Sequence, residues 1–197
     1  QEETDAIALG IYEGEDSLTP LAESVDQALG GAISNLMGLG DFEGKLKQVV
    51  TLYTNGKVSS PRISLVGCGK AEDFNQENIR QVSAKHARSL RNLGVKKIIV
   101  PIPDDISDLP VQAIVEGVKL GLYTFDQHKT EGRNEIKELE ELTFLTANES
   151  RTSVIKQGIE LGNTITDGVI LARDLTNQPA NYLTPTILAE TAQSVAK

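Results

Sequence analysis

The chain has 197 residues and a formal net charge of −9, and it is 39% hydrophobic, 24% charged and only 4% aromatic. This length suits one large domain, or one domain with an appendage, that buries a mainly aliphatic core without staples. The single cysteine, Cys68, excludes an internal disulfide. The negative charge disfavours tight non-specific binding of nucleic acid, and no run of about 20 apolar residues predicts a membrane span.

Strand and helix patterns alternate along the chain, which predicts an α/β layered domain. Asn55-Gly56, a tight-turn signal between the second and third strands, predicts a hairpin and therefore a mixed sheet. The strands are expected at residues 5–12, 49–54, 62–66, 97–100 and 142–146. The helices are expected at residues 18–37, 73–93, 111–125 and 150–175, with a further helix that starts at Pro185 after Thr184 as N-cap.

The first helix pattern contains the pair Gly30-Gly31 near its middle. Two glycines inside a helix cost about 1 kcal/mol each relative to alanine, so the pair needs a reason. Close packing of the helix on the sheet is the favoured explanation. A backbone approach to a nucleotide is the alternative.

A boundary is expected near Ser150, after which residues 151–176 predict a linker helix that packs on both sides. Gly158 and Gly162 are four residues apart on this helix. Small residues at this spacing allow a close contact, for which a second copy of the chain is a candidate partner. The apolar residues of the tail have no obvious partner, so we expect the linker helix and the tail, 177–197, to pack against a neighbouring copy or to be mobile. These residues are Leu183, Ile187, Leu188 and Val195.

Cys68 and the two histidines are the candidate nucleophile and bases. A catalytic thiol needs a nearby base, and only His86 and His128 are available. Because Cys68 follows an apolar strand, a buried small residue is favoured over a catalytic thiol. The helical spacing places His86 on the apolar side of the second helix, which favours a core or interface histidine. His128 lies in a polar stretch and is expected to be exposed.

Other motifs give weaker signals. Residues 67–70 (GCGK) follow a strand but match neither the phosphate loop nor the dinucleotide pattern, so a plain turn is favoured. Asp104, Asp105 and Asp108 lie beside prolines and indicate a solvated acidic loop. No HExxH, CxxC or Gly-x-Ser-x-Gly motif is present.

Six basic residues occur with no acid among them, between Glu77 and Asp104. They could meet an acidic surface or a phosphate backbone, but a solvated helix face is the commonest explanation for such a run. No aromatic residue interleaves them, which disfavours single-strand binding. The six are Arg80, Lys85, Arg88, Arg91, Lys96 and Lys97.

The segment 171–185 (LARDLTNQPANYLTP) resembles the segment that joins the two domains of the M17 family, the dinuclear-metal leucyl aminopeptidases. The family pattern there is close to A-R-D-L-x-N-x-P-A-N-x-L-T-P, and every fixed position is matched. Residues 116–129 are similar to the family's E-G-x-x-L-x-x-Y-x-F-D-x-Y-K, with His128 in place of the usual Tyr. Residues 62–70 resemble a family strand that ends in V-G-L-G-K, with Cys68 in place of Leu.

The resemblance implies a macro-domain-like mixed sheet with flanking helices and then a long linker helix. Residues 1–150 would be a non-catalytic N-terminal domain, 151–176 the linker, and 177–197 the first residues of a catalytic domain. The parent would be a cytoplasmic homohexamer that hydrolyses N-terminal amino acids from peptides with two divalent metals, Zn or Mn. The family's metal-binding segments do not occur in this sequence, so no catalytic, cofactor-binding or metal residue is assigned. A nucleotide- or DNA-binding module is the alternative.

Overall fold

The computed structural model describes residues 4–14, 18–102, 111–130 and 137–196. Within these ranges, none of the helices combines the length and apolarity needed to cross a bilayer. The strands are β1 (Ala6–Ile11), β2 (Val49–Tyr53), β3 (Arg62–Gly67), β4 (Lys97–Pro101) and β5 (Glu141–Leu145). The helices are α1 (Pro20–Leu29), α2 (Ala32–Gly38), α3 (Gln76–Asn92), α4 (Val111–Leu122), α5 (Thr152–Asn177) and α6 (Pro185–Val195).

The five strands form one mixed sheet in the order β2-β3-β1-β4-β5. β2 and β3 are antiparallel, and the other neighbours are parallel. The hairpin predicted from Asn55-Gly56 is confirmed, although its loop covers all of residues 54–61. Both turn residues have positive φ, 51° for Asn55 and 80° for Gly56, which is why this dipeptide occupies the turn.

Side chains alternate between the two faces of the sheet, and helices cover both faces. On one face, Leu9 and Ile11 of β1 pack with Leu29 of α1 and Ile33 of α2. On the other face, Ala6, Ala8 and Ile98 pack with Leu90 of α3 and with Val95. The predicted α/β class and mixed sheet are therefore confirmed, with α1 and α2 on one side and α3 on the other.

The single helix expected over residues 18–37 is wrong, because the chain forms two helices that break at Gly30-Gly31. Both glycines adopt the left-handed conformation, with φ of 75° and 83°. A Cβ on Gly31 would meet no atom within 4 Å, so close packing on the sheet does not explain the pair. The buried carboxylate of Asp26 accepts hydrogen bonds from the Ile33 amide at 2.6 Å and from the Ser34 hydroxyl. These bonds cap the first turn of α2 and fix the break.

Helices α3, α4 and α5 pack side by side through glycines. A Cβ on Gly117 would lie 2.4 Å from the carbonyl oxygen of Arg80, and one on Gly121 would lie 2.7 Å from Ala84. The glycine pair in α5 makes the close contact that its spacing predicts, but the partner is α4 of the same chain and not the second copy that was the candidate. Cβ atoms on Gly158 and Gly162 would lie 3.0 Å and 2.9 Å from Val111 and Val115 respectively.

Charge pairs join the same helices. The buried carboxylate of Glu116 on α4 accepts hydrogen bonds from Nε of Arg80 on α3 and, at 2.7 Å, from Nε2 of Gln112. The hydrogen bond to Glu116 raises the pKa of Arg80 further above its usual value, and Glu77 adds to this effect. Lys119 donates to Asp167 at 2.6 Å and to Asn163 at 3.1 Å, which links α4 to α5.

Replacing Gly162 by Ala is expected to destabilise the chain. Overpacking costs about 1–3 kcal/mol, which exceeds the gain of about 1 kcal/mol on replacing a helical glycine. Gly168→Ala is the matched control in the same helix, since its Cβ would meet nothing within 4 Å. The control is expected to gain about 0.5–1 kcal/mol. Urea unfolding followed by circular dichroism measures both, and equal effects of the two substitutions would contradict the close α4–α5 contact.

Candidate interdomain surface

Helix α5 packs against α4 along one face. Ile155 shares a core cluster with Ile102, Val111 and Val115, and Ile159 packs at its edge. Gly162 and Thr166 are buried further along the same face. The expectation that α5 packs on both sides is not met among the described residues, because only the face toward α4 is buried.

A second apolar stripe runs along α5 and remains exposed. Val154, Leu161 and Ile165 are 66%, 50% and 39% exposed. At about 100° per residue, these three positions lie within about 40° of one another, roughly a quarter turn away from the buried face. The interval from Val154 to Leu161 is seven residues and from Leu161 to Ile165 four, a spacing typical of one helical face. The stripe has the pattern of a face that packs against another structure.

Polar contacts anchor the end of α5 to the stretch that follows α4. The Tyr123 hydroxyl donates to Asp174 at 2.7 Å and accepts from Asn177 at 3.2 Å. Partial burial and the bond to Asp174 raise the pKa of Tyr123 above its usual value. The Arg173 guanidinium lies 5.5 Å from the Tyr123 ring, close enough for a cation–π contact. The direction in which the chain leaves α5 is therefore fixed by its own side chains.

The tail beyond α5 contacts the same stretch only at its beginning. His128 is exposed, as expected, but its Nε2 lies 2.8 Å from Oε1 of Gln178, and its ring stacks on Tyr182 at 4.3 Å. These contacts join the start of the tail to its own chain, through residues other than the four apolar ones for which no partner is expected. Helix α6 begins at the predicted cap, with the Thr184 hydroxyl accepting from the Ile187 amide at 3.4 Å. Its apolar residues Ile187, Leu188 and Val195 are exposed.

Two further sequence candidates, Cys68 and the glycine turn, are packed into the fold. Cys68 is buried, as expected. The glycine turn is closely packed: the amides of Gly67, Cys68 and Gly69 donate to the carbonyls of Gln48, Ile11 and Gly44. These three amides are therefore not available to hold a phosphate. The acidic loop with Asp104, Asp105 and Asp108 lies outside the described residues.

The basic residues are mostly paired, which disfavours a phosphate-binding surface. Arg80 is paired with Glu116, and Arg91 donates to the carbonyl of Leu122. Lys96 and Lys97 pair with Glu140 and Glu141, and these hydrogen bonds raise the pKa of both lysines. Lys85 and Arg88 are exposed on α3.

His86 is a core residue of α3, as the helical pattern predicts. It is 7% exposed, and its Nε2 lies 2.7 Å from Oγ of Ser64 on β3. Burial lowers the pKa of His86 from 6.5 to about 4, so the ring is neutral at pH 7. The residue therefore joins α3 to the sheet as a neutral hydrogen-bonding group.

The described residues do not provide the donor set of a metal centre. No cluster of three or more His, Cys, Asp or Glu side chains able to hold an ion lies in residues 4–14, 18–102, 111–130 or 137–196. The two divalent metals that the family resemblance implies for the parent do not fit these residues. We therefore assign no metal-dependent step to them.

The described residues form a mixed α/β sheet with flanking helices, followed by a long helix that carries an exposed apolar stripe and by a final exposed helix. The model of the cytosol aminopeptidase family, N-terminal domain, matches residues 8–132. The chain belongs to this family and carries its N-terminal domain. The family that the resemblance in residues 171–185 indicates is therefore confirmed.

Similar proteins extend the match along nearly the whole chain. Probable cytosol aminopeptidases are 37% identical over 198 residues in Alkaliphilus metalliredigens and 35% identical over 202 residues in Nitrosococcus oceani. These alignments cover 98% and 100% of this chain but only 40% of each relative. The chain thus spans about two fifths of the length of these relatives.

Two solved structures share the fold. A mutant of tomato leucine aminopeptidase superposes with a TM-score of 0.79 at 28% identity, over 100% of this chain and 40% of that one. The bottromycin maturation enzyme BotP in complex with Mn superposes with a TM-score of 0.70 at 21% identity, over 98% and 36%. The second likeness concerns the fold alone.

The free energy of unfolding is expected to fall as the pH falls from about 6.5 to about 4. In this window the unfolded chain protonates His86 while the folded chain keeps it neutral, so the unfolded state binds more protons. Between pH 7.5 and 4.5, His86 is expected to lower the free energy of unfolding by about 2–3 kcal/mol.

His86→Gln is the comparison protein, because glutamine keeps a polar group toward Ser64 but does not titrate. Urea unfolding of both proteins at the two pH values gives the contribution of His86, since the carboxylates common to both cancel. An identical pH dependence in the two proteins would contradict a buried neutral histidine.

Proposed function

We propose that this chain is the structural and assembly domain of a longer leucyl aminopeptidase. The single observation that carries the proposal is the exposed stripe of Val154, Leu161 and Ile165 on a helix whose other face is already buried. The relatives have about three fifths of their length beyond the match, which is enough for a second domain to cover the stripe. Residues 1–150 form the non-catalytic domain, 151–176 the linker helix, and 177–197 the start of the catalytic domain.

The parent's activity is proposed from the family and not from side chains described here. It hydrolyses N-terminal amino acids from peptides in the cytoplasm, with two divalent metals, Zn or Mn, held by its catalytic domain. Metal ions at such a centre activate water and polarise the scissile carbonyl. This chain contributes packing and, in the parent, assembly into a homohexamer. The names of the relatives, cytosol aminopeptidases, support the proposed activity and location.

Two surfaces contribute to the packing role. The stripe on α5 extends from Val154 to Ile165, and α6 presents Ile187, Leu188 and Val195. Tyr123 holds the end of α5 and His128 holds the start of the tail. These two contacts fix the position from which the chain continues to the apolar residues of α6. We propose that both surfaces lie against the catalytic domain of the same polypeptide. Without the catalytic domain, both surfaces are free to bind a second copy of this chain.

The purified 197-residue chain is expected to show no aminopeptidase activity with Zn, Mn, Co or Mg. The family's metal-binding segments do not occur in its sequence. Release of the chromophore from a leucyl anilide, with each metal added in turn, measures this. Hydrolysis above the blank that depends on an added metal would overturn the assignment of a non-catalytic domain.

The isolated chain is expected to self-associate through the α5 stripe. Leu161→Lys is expected to weaken this association by about tenfold or more, because the lysine charge would have to lose its water when the face is buried. Thr164→Lys is the matched control, since Thr164 is exposed, lies one turn away and gains the same charge. Sedimentation velocity over a concentration series measures the monomer fraction. A chain that is monomeric throughout, or that loses association equally in both variants, would contradict the role of the stripe.

A further inference from the structure

The carboxyl halves of β1 and β4 separate from each other. The two strands pair only at Ala6 with Ile98 and at Ile7 with Ile99. β1 nevertheless continues to Ile11, and it stays paired with β3 over five positions up to that residue. A crevice therefore opens beyond Ile7, between the carboxyl ends of two parallel strands.

This crevice lies at the switch point of the sheet. In the order β2-β3-β1-β4-β5, the chain passes from β1 to the edge strand β2 and returns to β3 beside β1. It then crosses by α3 to β4 on the other side of β1. In open α/β sheets, ligands bind outside the carboxyl ends of the strands at such a switch point. The order of the strands therefore predicts a ligand-binding position at this crevice.

A cavity of about 160 Å³ occupies the crevice. β1 contributes Ala8 and Gly10 to its lining, β4 contributes Val100, and α3 and α4 contribute His86 and Ile114. Ala8 leaves space beneath the helices that a larger side chain would fill, whereas a Cβ on Gly10 would lie 3.0 Å from Sγ of Cys68. An apolar cavity of about 150 Å³ is large enough to bind benzene.

The lining selects for a neutral ligand. The described residues around the cavity include no Lys, Arg, Asp or Glu. His86 is neutral at pH 7, and the amides of Gly67, Cys68 and Gly69 are already bonded to carbonyls. An aromatic pair forms part of the wall, Tyr12 edge-to-face with Phe74 at 5.2 Å. These groups offer a phosphate neither a cation nor a free amide of the glycine turn, whereas an aromatic ring would have apolar contacts.

We propose that the cavity between β1, β4, α3 and α4 is a binding site for a small neutral aromatic molecule of one or two rings. The ring lies beneath α3 against β1, and Ser83 and His86 of α3 are among the lining side chains that offer polar atoms. The proposal concerns this domain alone and is independent of the aminopeptidase activity proposed for the parent.

Indole is the probe, and its fluorescence reports binding directly because the chain contains no tryptophan. We expect its emission to shift to shorter wavelength on titration with the protein at pH 7. Ala8→Leu and Ile114→Phe fill the cavity from opposite sides, and each is expected to weaken indole binding by about tenfold or more. Ala189→Leu, on the exposed surface of α6, is the matched control and is expected to bind like the unmodified chain.

Amide chemical shifts of the unmodified chain test the location without any substitution. Indole is expected to shift Ala8, Gly10 and Ser83 but not Ala189. Adenosine monophosphate is the charged comparison and is expected not to compete with indole. Absence of indole binding, shifts confined to other residues, displacement by the nucleotide, or unchanged binding in folded filled variants would each overturn the proposal.

Discussion

The close approach of α3, α4 and α5 is the constraint on which most of the structure depends. Gly117 and Gly121 bring α4 against α3, and Gly158 and Gly162 bring α5 against α4. With any larger side chain at these positions the helix axes would have to move apart, since protein interiors leave no room to absorb the difference. The glycine contacts therefore set the position of α5, and with it the surface that α5 presents outward.

Burial of charge follows from the same helix packing. Glu116 is buried because α4 lies so close to α3, and a buried carboxylate requires partners. Arg80 and Gln112 provide them. The pair does not make the fold more stable than an apolar contact would, but loss of either partner would leave an uncompensated polar group. This explains why a basic residue that could look like part of a nucleic-acid surface is committed to a structural contact.

The described residues thus include two kinds of apolar surface that the chain itself does not cover, exposed helix faces and a cavity. The stripe on α5 and the apolar residues of α6 are convex helix faces, which suit a large partner such as another domain. The cavity beside β1 is small and concave, which suits a small molecule. It lies beside Ala8, where the pairing of β1 with β4 ends. Assembly and ligand binding in this domain would therefore use different parts of the fold.

The sequence by itself determined the order of elements, the α/β class, the mixed sheet and the family. Local signals suffice for these features: the turn at Asn55-Gly56, the cap at Thr184 and the fixed positions of residues 171–185 all act over a few residues. Only the tertiary structure decided which elements contact one another. A spacing of glycines does not say which helix they meet: a second chain was a candidate partner for Gly158 and Gly162, and they contact α4 instead. The helical period extends unbroken through Gly30-Gly31, yet the buried carboxylate of Asp26 and the left-handed backbone end one helix there and begin another. The α5 stripe and the cavity depend on long-range packing, and no local pattern specifies which apolar face remains uncovered.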